Sequence, residues 1–141
     1  MTDLNLSEAD AIVHGVMEGA VKRGLRPIAV AVLDGGGHVV VMKRQDNASF
    51  LRIEIATAKA WTAISLAGSS RDFAAVAEAR PNFAVSLVSV SQGQMIPAAG
   101  GLLIYRDGGV VGSVGVSGDT PDNDEAAASD GIVSAGLSST K

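Results

Sequence analysis

The sequence feature that most constrains the fold is an uninterrupted apolar stretch at residues 28–34 (IAVAVLD), which lies between Pro27 and the glycines at 35–37. A run rich in β-branched residues and bounded by turn residues predicts a strand that is covered on both faces. Residues 38–44 (HVVVMKR) form a second predicted strand, and the short glycine turn makes the pair an antiparallel hairpin. We therefore expect helices on both sides of a sheet.

A second hairpin is predicted nearer the C-terminus. Residues 102–106 and 110–117 are apolar and flank Asp107-Gly108, a dipeptide that favours tight hairpin turns. The later strand carries small residues on one face, which permits the close approach of a helix or a ligand. Helix packing is the simpler interpretation of that face.

Helical patterns occupy much of the remaining chain. Helices are predicted at residues 7–24 with Ser7 as the N-cap, at residues 49–66, from Ser69 or Ser70 to about residue 79, and from Thr120-Pro121 onwards. Residues 82–94 fit either a short helix or an irregular strand. This order of elements predicts a single domain over residues 1–141, of the α/β (α+β) type, with three α/β/α layers.

The composition narrows the partners that such a domain can have. Charged residues make up 18% of the chain and apolar residues 47%, whereas about 25% of residues are charged in average domains. A surface so short of charge predicts self-association through buried interfaces. The net charge of -4 and the pI of about 5.0 give no general attraction for nucleic acid or acidic membranes.

The chain has no cysteine, which excludes disulfides, thiolate nucleophiles, zinc–cysteine sites and iron–sulfur clusters. Its start, MTDLNLSEAD, has neither the basic segment nor the apolar core of a signal peptide. No apolar run reaches the length of about 18 residues that a membrane span requires. We therefore expect a soluble cytoplasmic protein.

Four segments of the chain carry a family resemblance. They are AVAVLDGGGHVVVMKRQDNA, IATAKAWTA, GGLLIYRDGGVVGSVGVSG and DNDEAAASDGI. In this order they resemble the GlcG/HbpS family of haem-binding and haem-degrading domains, to which the C-terminal domain of the PduO adenosyltransferases is similar. Leu103 stands where the family often has proline, and the chain lacks the export signal of the secreted haem-binding members.

The resemblance implies a profilin-like fold with a five-stranded antiparallel sheet flanked by helices. It also implies assembly into dimers or larger oligomers, often octamers. Haem or a corrinoid is the ligand that it implies, and haem is the one cofactor that we expect.

Polar residues at the end of the second predicted strand are candidates for a ligand site. Arg44, Asp46 and Asn47 lie where the chain leaves this strand for the long helix, and such strand ends are suited to line a pocket. Lys59 lies on that helix among apolar residues, so its ammonium needs a partner.

We expect these residues and the Gly100-Gly101 backbone to converge on one anionic group of a ligand. Arg44 would hold the anion in a bidentate fork. If the protein is an enzyme, Asp46 and Lys59 would be its catalytic acid or base. The alternative is that Arg44 and Asp46 pair only with each other while Lys59 reaches solvent.

The chain offers two histidines as iron ligands. His38 lies beside the glycine turn, where it could ligate a metal or haem iron, or simply be an exposed residue at a strand end. His14 falls in a polar helical stripe with Glu18, which is typical of a solvated face. If haem binds, we expect His38 to be its ligand rather than His14. Tyr105, Met42 and Met95 are the non-histidine alternatives.

A cluster of acidic residues marks the start of the last predicted helix. It consists of Asp119, Asp122, Asp124 and Glu125. Carboxylates at a helix N-terminus interact favourably with the helix dipole, so the cluster requires no cation.

Two functions follow from these observations. The first is a binding protein for haem, a corrinoid or a related ligand. The second is a cofactor-independent enzyme that acts on a small anionic metabolite in a pocket formed by Arg44, Asp46 and Lys59.

Overall fold

The structure is a computed structural model that describes residues 3–141. Within this part of the chain, five helices and four strands form three layers. The helices are α1 (Leu6–Lys22), α2 (Leu51–Leu66), α3 (Ser70–Ala79), α4 (Pro81–Val90) and α5 (Pro121–Ser134), and the strands are β1 (Ala29–Asp34), β2 (Val39–Arg44), β3 (Gly101–Arg106) and β4 (Gly109–Ser117). None of the helices in residues 3–141 is both long and apolar enough to cross a bilayer.

The four strands form one antiparallel sheet in the order β2-β1-β4-β3. Both predicted hairpins are confirmed, and the pairing of β1 with β4 joins them into one sheet. The expectation of five strands is wrong, because residues 81–90 form a helix that starts with Pro81 in its first turn. At the outer edge of β3 the described residues contribute one isolated bridge, between Tyr105 and Ser138.

The main hydrophobic core lies between α1, α5 and one face of the sheet. Val30 and Val32 of β1 and Val114 and Val116 of β4 point into it and are fully buried. The two helices approach closely because Gly131 of α5 has no side chain. A Cβ atom at this position would lie 2.5 Å from the backbone oxygen of Ile12.

Helix α2 covers the opposite face of the sheet through small residues. Ala29 and Ala31 of β1 meet Ala56 of α2, and all three are fully buried. A Cβ atom at Gly115 of β4 would lie 2.0 Å from the backbone oxygen of Ala56. The small-residue face of β4 therefore serves helix packing, as the simpler interpretation predicts, and leaves no space for a ligand between Gly115 and α2.

The predicted N-caps of α3 and α5 are confirmed, whereas α2 begins at Leu51 rather than at residue 49 and the N-cap of α1 differs. Ser69 caps α3 and Thr120 caps α5, both as predicted. The N-cap of α1 is Asn5 rather than Ser7, because the Asn5 side chain accepts a hydrogen bond from the Glu8 backbone and the Glu8 carboxylate accepts one from the Asn5 backbone. This reciprocal pair satisfies two backbone donors, whereas Ser7 lies inside the helix.

Candidate ligand-binding site

Lys59 is the most deeply buried charged side chain among the candidate site residues, at 3% relative exposure. Its ammonium donates to the Asp124 carboxylate at 3.0 Å and to the Val116 backbone oxygen at 3.0 Å. Burial lowers the pKa of Lys59, and the adjacent Asp124 carboxylate opposes that shift. The pair joins α2 to β4 and to the first turn of α5.

Both carboxylate oxygens of Asp124 also accept hydrogen bonds. One carboxylate oxygen faces Lys59 and the other accepts a hydrogen bond from the Asp119 backbone N–H at 2.9 Å. Asp124 is 1% exposed. Since both charges are enclosed and paired, this ion pair is a structural contact between three elements and not an open binding site.

The Gly100-Gly101 segment is in close contact with Lys59, and no open space lies between them. A Cβ atom at Gly100 would lie 2.8 Å from the Lys59 Nζ atom, and one at Gly101 would lie 2.1 Å from the Lys59 backbone oxygen. The Gly101 N–H donates to the Ser70 hydroxyl at 2.8 Å. This N–H is therefore already used within the protein.

Arg44 and Asp46 lie at a different place, beside an open concavity of about 560 Å³ between the end of β2 and the C-terminal part of α1. The volume falls within the usual range for small-molecule sites. Met17, Leu25 and Pro27 form its apolar side. Its polar side carries the cations of Lys43 and Arg44 and the carboxylate of Asp46; Gln45 also lines it.

The turn after β2 holds this polar side in place. The Gln45 side chain accepts a hydrogen bond from the Ile28 backbone N–H at 2.8 Å, which ties the turn to the start of β1. Asn47 has a φ of 71°, a left-handed conformation that asparagine tolerates better than most residues. Asn47 is exposed, and its left-handed conformation forms the turn.

The residues predicted to form one site therefore lie in two places. Lys59, Gly100 and Gly101 are together in the interior, while Arg44 and Asp46 line the concavity on the surface. The assignment of Arg44, Asp46 and Asn47 to ligand binding stays a prediction.

His38 lies far from the concavity. It precedes β2, whereas Arg44 ends it, and six steps along a strand span about 20 Å. The His38 side chain is 81% exposed, with its Nδ1 atom 3.3 Å from the Asp34 carboxylate. A ligand that fills the concavity cannot also reach this imidazole.

His14 lies on α1 one helical turn before Met17 but does not line the concavity. Its Nε2 atom is 2.6 Å from the Glu18 carboxylate, and its side chain is 77% exposed. The prediction of a solvated helix face is confirmed for this pair. His14 is also closer in sequence than His38 to Met17, which lies on the apolar side of the concavity.

The acidic residues at the start of α5 have protein partners. Asp122 and Glu125 both pair with Arg71 of α3, and Asp119 accepts hydrogen bonds from the Arg26 backbone and the Asn123 side chain. Hydrogen bonds lower the pKa of Asp119, that from Asn123 most. In residues 3–141, no group of three or more acidic or histidine side chains could hold a metal ion.

Comparison with known proteins identifies the family to which this domain belongs. The family described as "Haem degrading protein HbpS-like" matches residues 4–133. This chain belongs to the HbpS-like family. The chain is 30% identical over 116 residues to the corrinoid adenosyltransferase PduO of Salmonella typhimurium, covering 79% of this chain and 34% of PduO. The HbpS-like domain thus spans about a third of the length of that relative.

Two solved structures extend the likeness of this HbpS-like protein to its whole fold. A PduOC:heme complex superposes with a TM-score of 0.88 at 25% identity, covering 99% of both chains. HbpS itself superposes with a TM-score of 0.83 at 30% identity, covering 94% of this chain and 90% of HbpS. The first of these relatives was solved with haem.

Sequence reasoning missed several residues that matter here. Met17 and Leu25 lie before β1, and only the packing of α1 against β2 brings them to Arg44. The sequence pattern explains Asp124 by the helix dipole alone, whereas the buried Lys59 also requires a buried carboxylate as its partner. Three alanines follow Glu125 and indicate an apolar environment near the start of α5, but this signal does not distinguish Asp124 from Glu125.

Proposed function

We propose that this protein binds haem or a related tetrapyrrole in the concavity between α1 and the end of β2. The observation that carries the proposal is the whole-length likeness to a domain solved with haem. The local chemistry fits, since Met17, Leu25 and Pro27 offer an apolar wall to the macrocycle. Lys43 and Arg44 offer two cations at the rim for the propionates.

The two histidines are alternative ligands for the iron, and each of them implies a different haem site. The sequence prediction names His38, which would require a second site about 20 Å from Arg44 along β2. Of the two histidines, His14 is nearer to the concavity, because it lies three residues from Met17 on α1, although it does not line the concavity itself. When bound, haem would supply its own redox and ligand-binding chemistry, while His14 or His38 would hold the iron and Lys43 and Arg44 would pair with the propionates.

Titration of the purified protein with hemin tests the proposal. We expect a shifted Soret band that saturates at a defined stoichiometry. His14→Ala should shift or weaken that band if the concavity is the site, and His38→Ala should do so if the turn is the site. Absence of saturable binding in the wild-type protein would reject the proposed function.

The charge partners provide a second test. Lys43→Ala and Arg44→Ala should each weaken hemin binding by about 5- to 30-fold, which corresponds to one charge-assisted contact of about 1–2 kcal/mol. Arg80→Ala is the control, because Arg80 stacks on Phe83 and does not line the concavity. Equal affinities in all three variants would place the haem elsewhere.

A second function, turnover of a small anionic metabolite without a cofactor, rests on Arg44 and Asp46 in the same concavity. Arg44 can bind a carboxylate group of the substrate, and Asp46 can exchange a proton with a substrate in the open concavity. Lys59 would take no part, since its ammonium is enclosed with Asp124. Binding of acetate, lactate or succinate, followed by chemical shifts of the Arg44 and Asp46 amides, distinguishes this function from hemin binding.

We also infer that the protein self-associates, because its charged fraction is low for its size.

A further inference from the structure

A small cavity of about 180 Å³ lies where α2 meets the loop between α4 and β3. Its lining residues come from these two segments and are Glu54, Thr57, Ala58 and Trp61 of α2 with Gly93 and Gln94 of the loop. Residues spaced by three, four and seven positions share one side of a helix, so the four α2 residues form a single stripe. This stripe lies opposite Ala56, which packs on the sheet.

Trp61 stands at one end of the stripe and is held by two parts of the fold. A Cβ atom at Gly37 would lie 3.6 Å from the Trp61 Nε1 atom, so this edge of the indole is in ordinary contact with the turn between β1 and β2. The ring also packs against the cluster of Phe73, Ala84 and Met95. The indole is therefore a preformed apolar platform, and the face of an indole ring also attracts cations.

Glu54 stands at the other end of the stripe with its carboxylate unused. The side chain is exposed and takes part in no hydrogen bond or ion pair within residues 3–141. Asp124 and Asp130, by comparison, are each paired with a cation. The helix dipole favours a carboxylate in the first turn of α2 and still leaves both oxygens free to accept from a ligand.

The other polar side chains of the cavity keep free acceptors. The Thr57 hydroxyl donates its proton to the Ile53 backbone oxygen at 2.8 Å, which leaves the lone pairs of the hydroxyl oxygen. The Gln94 amide nitrogen donates to the Ser91 backbone oxygen at 3.2 Å, which leaves the amide oxygen. None of the lining residues carries a positive charge. Such a cavity selects a ligand that is both a cation and a hydrogen-bond donor.

We propose that this cavity, which we call the Trp61 cavity, binds a small alkylammonium ion, that is, a protonated amine on a short hydrocarbon chain. The ammonium pairs with the Glu54 carboxylate and donates to the Thr57 hydroxyl, while the hydrocarbon chain packs on Ala58 and the indole. The volume is below the range of about 300–1,000 Å³ of drug-sized sites, so the chain is short. A metal ion fits poorly, because Glu54 is the one carboxylate among the lining residues.

The Trp61 cavity is independent of the concavity at Arg44. The two share no lining residue, and they belong to helices on opposite faces of the sheet, α2 and α1. Their charges are also of opposite sign, since Lys43 and Arg44 line the concavity while Glu54 lines the cavity. Failure of hemin binding would therefore leave this proposal standing, and the reverse is equally true.

Titration with butylammonium chloride, followed by tryptophan fluorescence, tests the proposal. Trp61 is the only tryptophan of the chain, so the signal reports on this cavity. At pH 7 the amine is protonated, because such amines have a pKa of about 10.4. We expect a saturable change with a dissociation constant in the millimolar range, as for a ligand of about five non-hydrogen atoms. A change that does not saturate below about 100 mM would overturn the proposal.

Matched ligands separate charge from apolar contact. Butanol has a hydrocarbon chain of the same length without the charge, and butyrate carries the opposite charge. With the ionic strength held constant by sodium chloride, both should bind at least about 5-fold more weakly than butylammonium, because neither can form the ion pair with Glu54. Equal binding of butanol would show that the cavity recognises hydrocarbon alone and would contradict the assignment.

Glu54→Gln removes the charge and keeps the size of the side chain. It should raise the dissociation constant of butylammonium by at least about 5-fold, as loss of one charge-assisted contact does. Glu78→Gln, an exposed position on α3, is the matched control and should keep the wild-type value. An unchanged value for Glu54→Gln, or an equal loss in both variants, would reject the role of Glu54.

Amide chemical shifts locate the bound ion independently of fluorescence. Butylammonium should shift the amides of Thr57, Ala58 and Gly93 and leave those of Lys43 and Arg44 in place. Circular dichroism should show that Glu54→Gln folds as the wild type does, since no contact within residues 3–141 depends on this carboxylate. Shifts confined to residues outside the Trp61 cavity would overturn the proposal.

Discussion

Lys59 and Asp124 show how a chain with few charges places two of them in its interior. The lysine comes from α2 and the carboxylate from α5, and the lysine also donates to the end of β4. Desolvation of two charges is costly, and their mutual attraction offsets it only while both are present. The value of the pair lies in where it holds α5, rather than in net stability.

Lys59→Met should lower the free energy of unfolding by about 3–5 kcal/mol, because it leaves the Asp124 carboxylate buried without a cation. Urea denaturation measures the change. The control is Arg23→Ala, which removes an exposed pair with Asp130 and should cost under about 1 kcal/mol. Addition of Asp124→Leu to Lys59→Met should recover part of the loss; a further loss in the double variant would contradict this interpretation.

The need of Lys59 for a partner could be predicted from its apolar neighbours on α2, but the identity of the partner could not. Asp124 lies 65 residues away along the chain, and only the packing of α5 against the sheet brings it near. In contrast, Arg44 and Asp46 are close in sequence, so their shared place at the end of β2 was predictable. Their separation from Lys59 depends on the direction in which α2 crosses the sheet, which no local pattern indicates.

At the scale of elements, the strands and caps follow local rules while α4 does not. Gly-rich turns predicted both hairpins to within about a residue at each end. Residues 82–94 carry neither a strict alternation nor an amphipathic stripe, because α4 is apolar on its exposed side as well. A helix whose outer face is apolar gives no periodic signal, so the sequence left helix and strand open there.

The close contact of α2 with β4 predicts a strong effect of Gly115→Ala. The new Cβ atom would lie 2.0 Å from the Ala56 backbone oxygen, so the helix must move away from the sheet. We expect a loss of about 1–3 kcal/mol or more in the free energy of unfolding. Thermal and urea unfolding measure it.

Gly109→Ala at the start of β4 is the matched control. The nearest atom to its new Cβ is the Arg106 backbone oxygen at 3.6 Å, an ordinary contact. Its effect should stay within about 0.5 kcal/mol, as for surface substitutions in general. Similar losses in both variants would mean that glycine in β4 is required for a reason other than the approach of α2.

The link between α1 and β3 predicts a pH dependence. The Arg106 guanidinium, together with the Asn5 backbone N–H, holds the pKa of Glu8 below its ordinary value of 4.5. The unfolded chain therefore binds this proton at a higher pH than the folded protein does. The contribution of Glu8 to stability is complete above about pH 5 and is lost as the pH falls through 4.5 towards the folded pKa.

Glu8→Gln keeps a capping side chain but removes this titration. The free energy of unfolding should then fall less steeply with decreasing pH below about pH 5 than in the wild type. Glu78→Gln, an exposed position on α3, is the control and should keep the wild-type slope. A steeper slope for Glu8→Gln would mean that the carboxylate is protonated more readily in the folded state.

At the scale of the whole molecule, stability is distributed unevenly between the sheet, which helices cover on both faces, and the helix pair α3 and α4. β1 is fully buried from Ala29 to Leu33, between helices on both sides. α4 contacts one helix and has a single buried residue. We therefore expect the amides of β1 to exchange with solvent slowest and those of α4 to exchange far faster at high dilution.

Hydrogen exchange followed by mass spectrometry measures this order. The amides of α4 should exchange fully while those of β1 are still protected. Exchange in α4 as slow as that in β1 would contradict this distribution of stability.

The bridge at the outer edge of β3 determines where the sheet stops. Tyr105 and Ser138 exchange both backbone hydrogen bonds, as neighbours in an antiparallel sheet do. The Ser138 hydroxyl then accepts a hydrogen bond from the Thr140 N–H, and this local turn takes the chain away from the strand. The number of strands in this fold thus depends on how many residues after α5 pair with β3. Substitutions at two or three positions there could convert a four-stranded sheet into a five-stranded one without any change in the path of the chain.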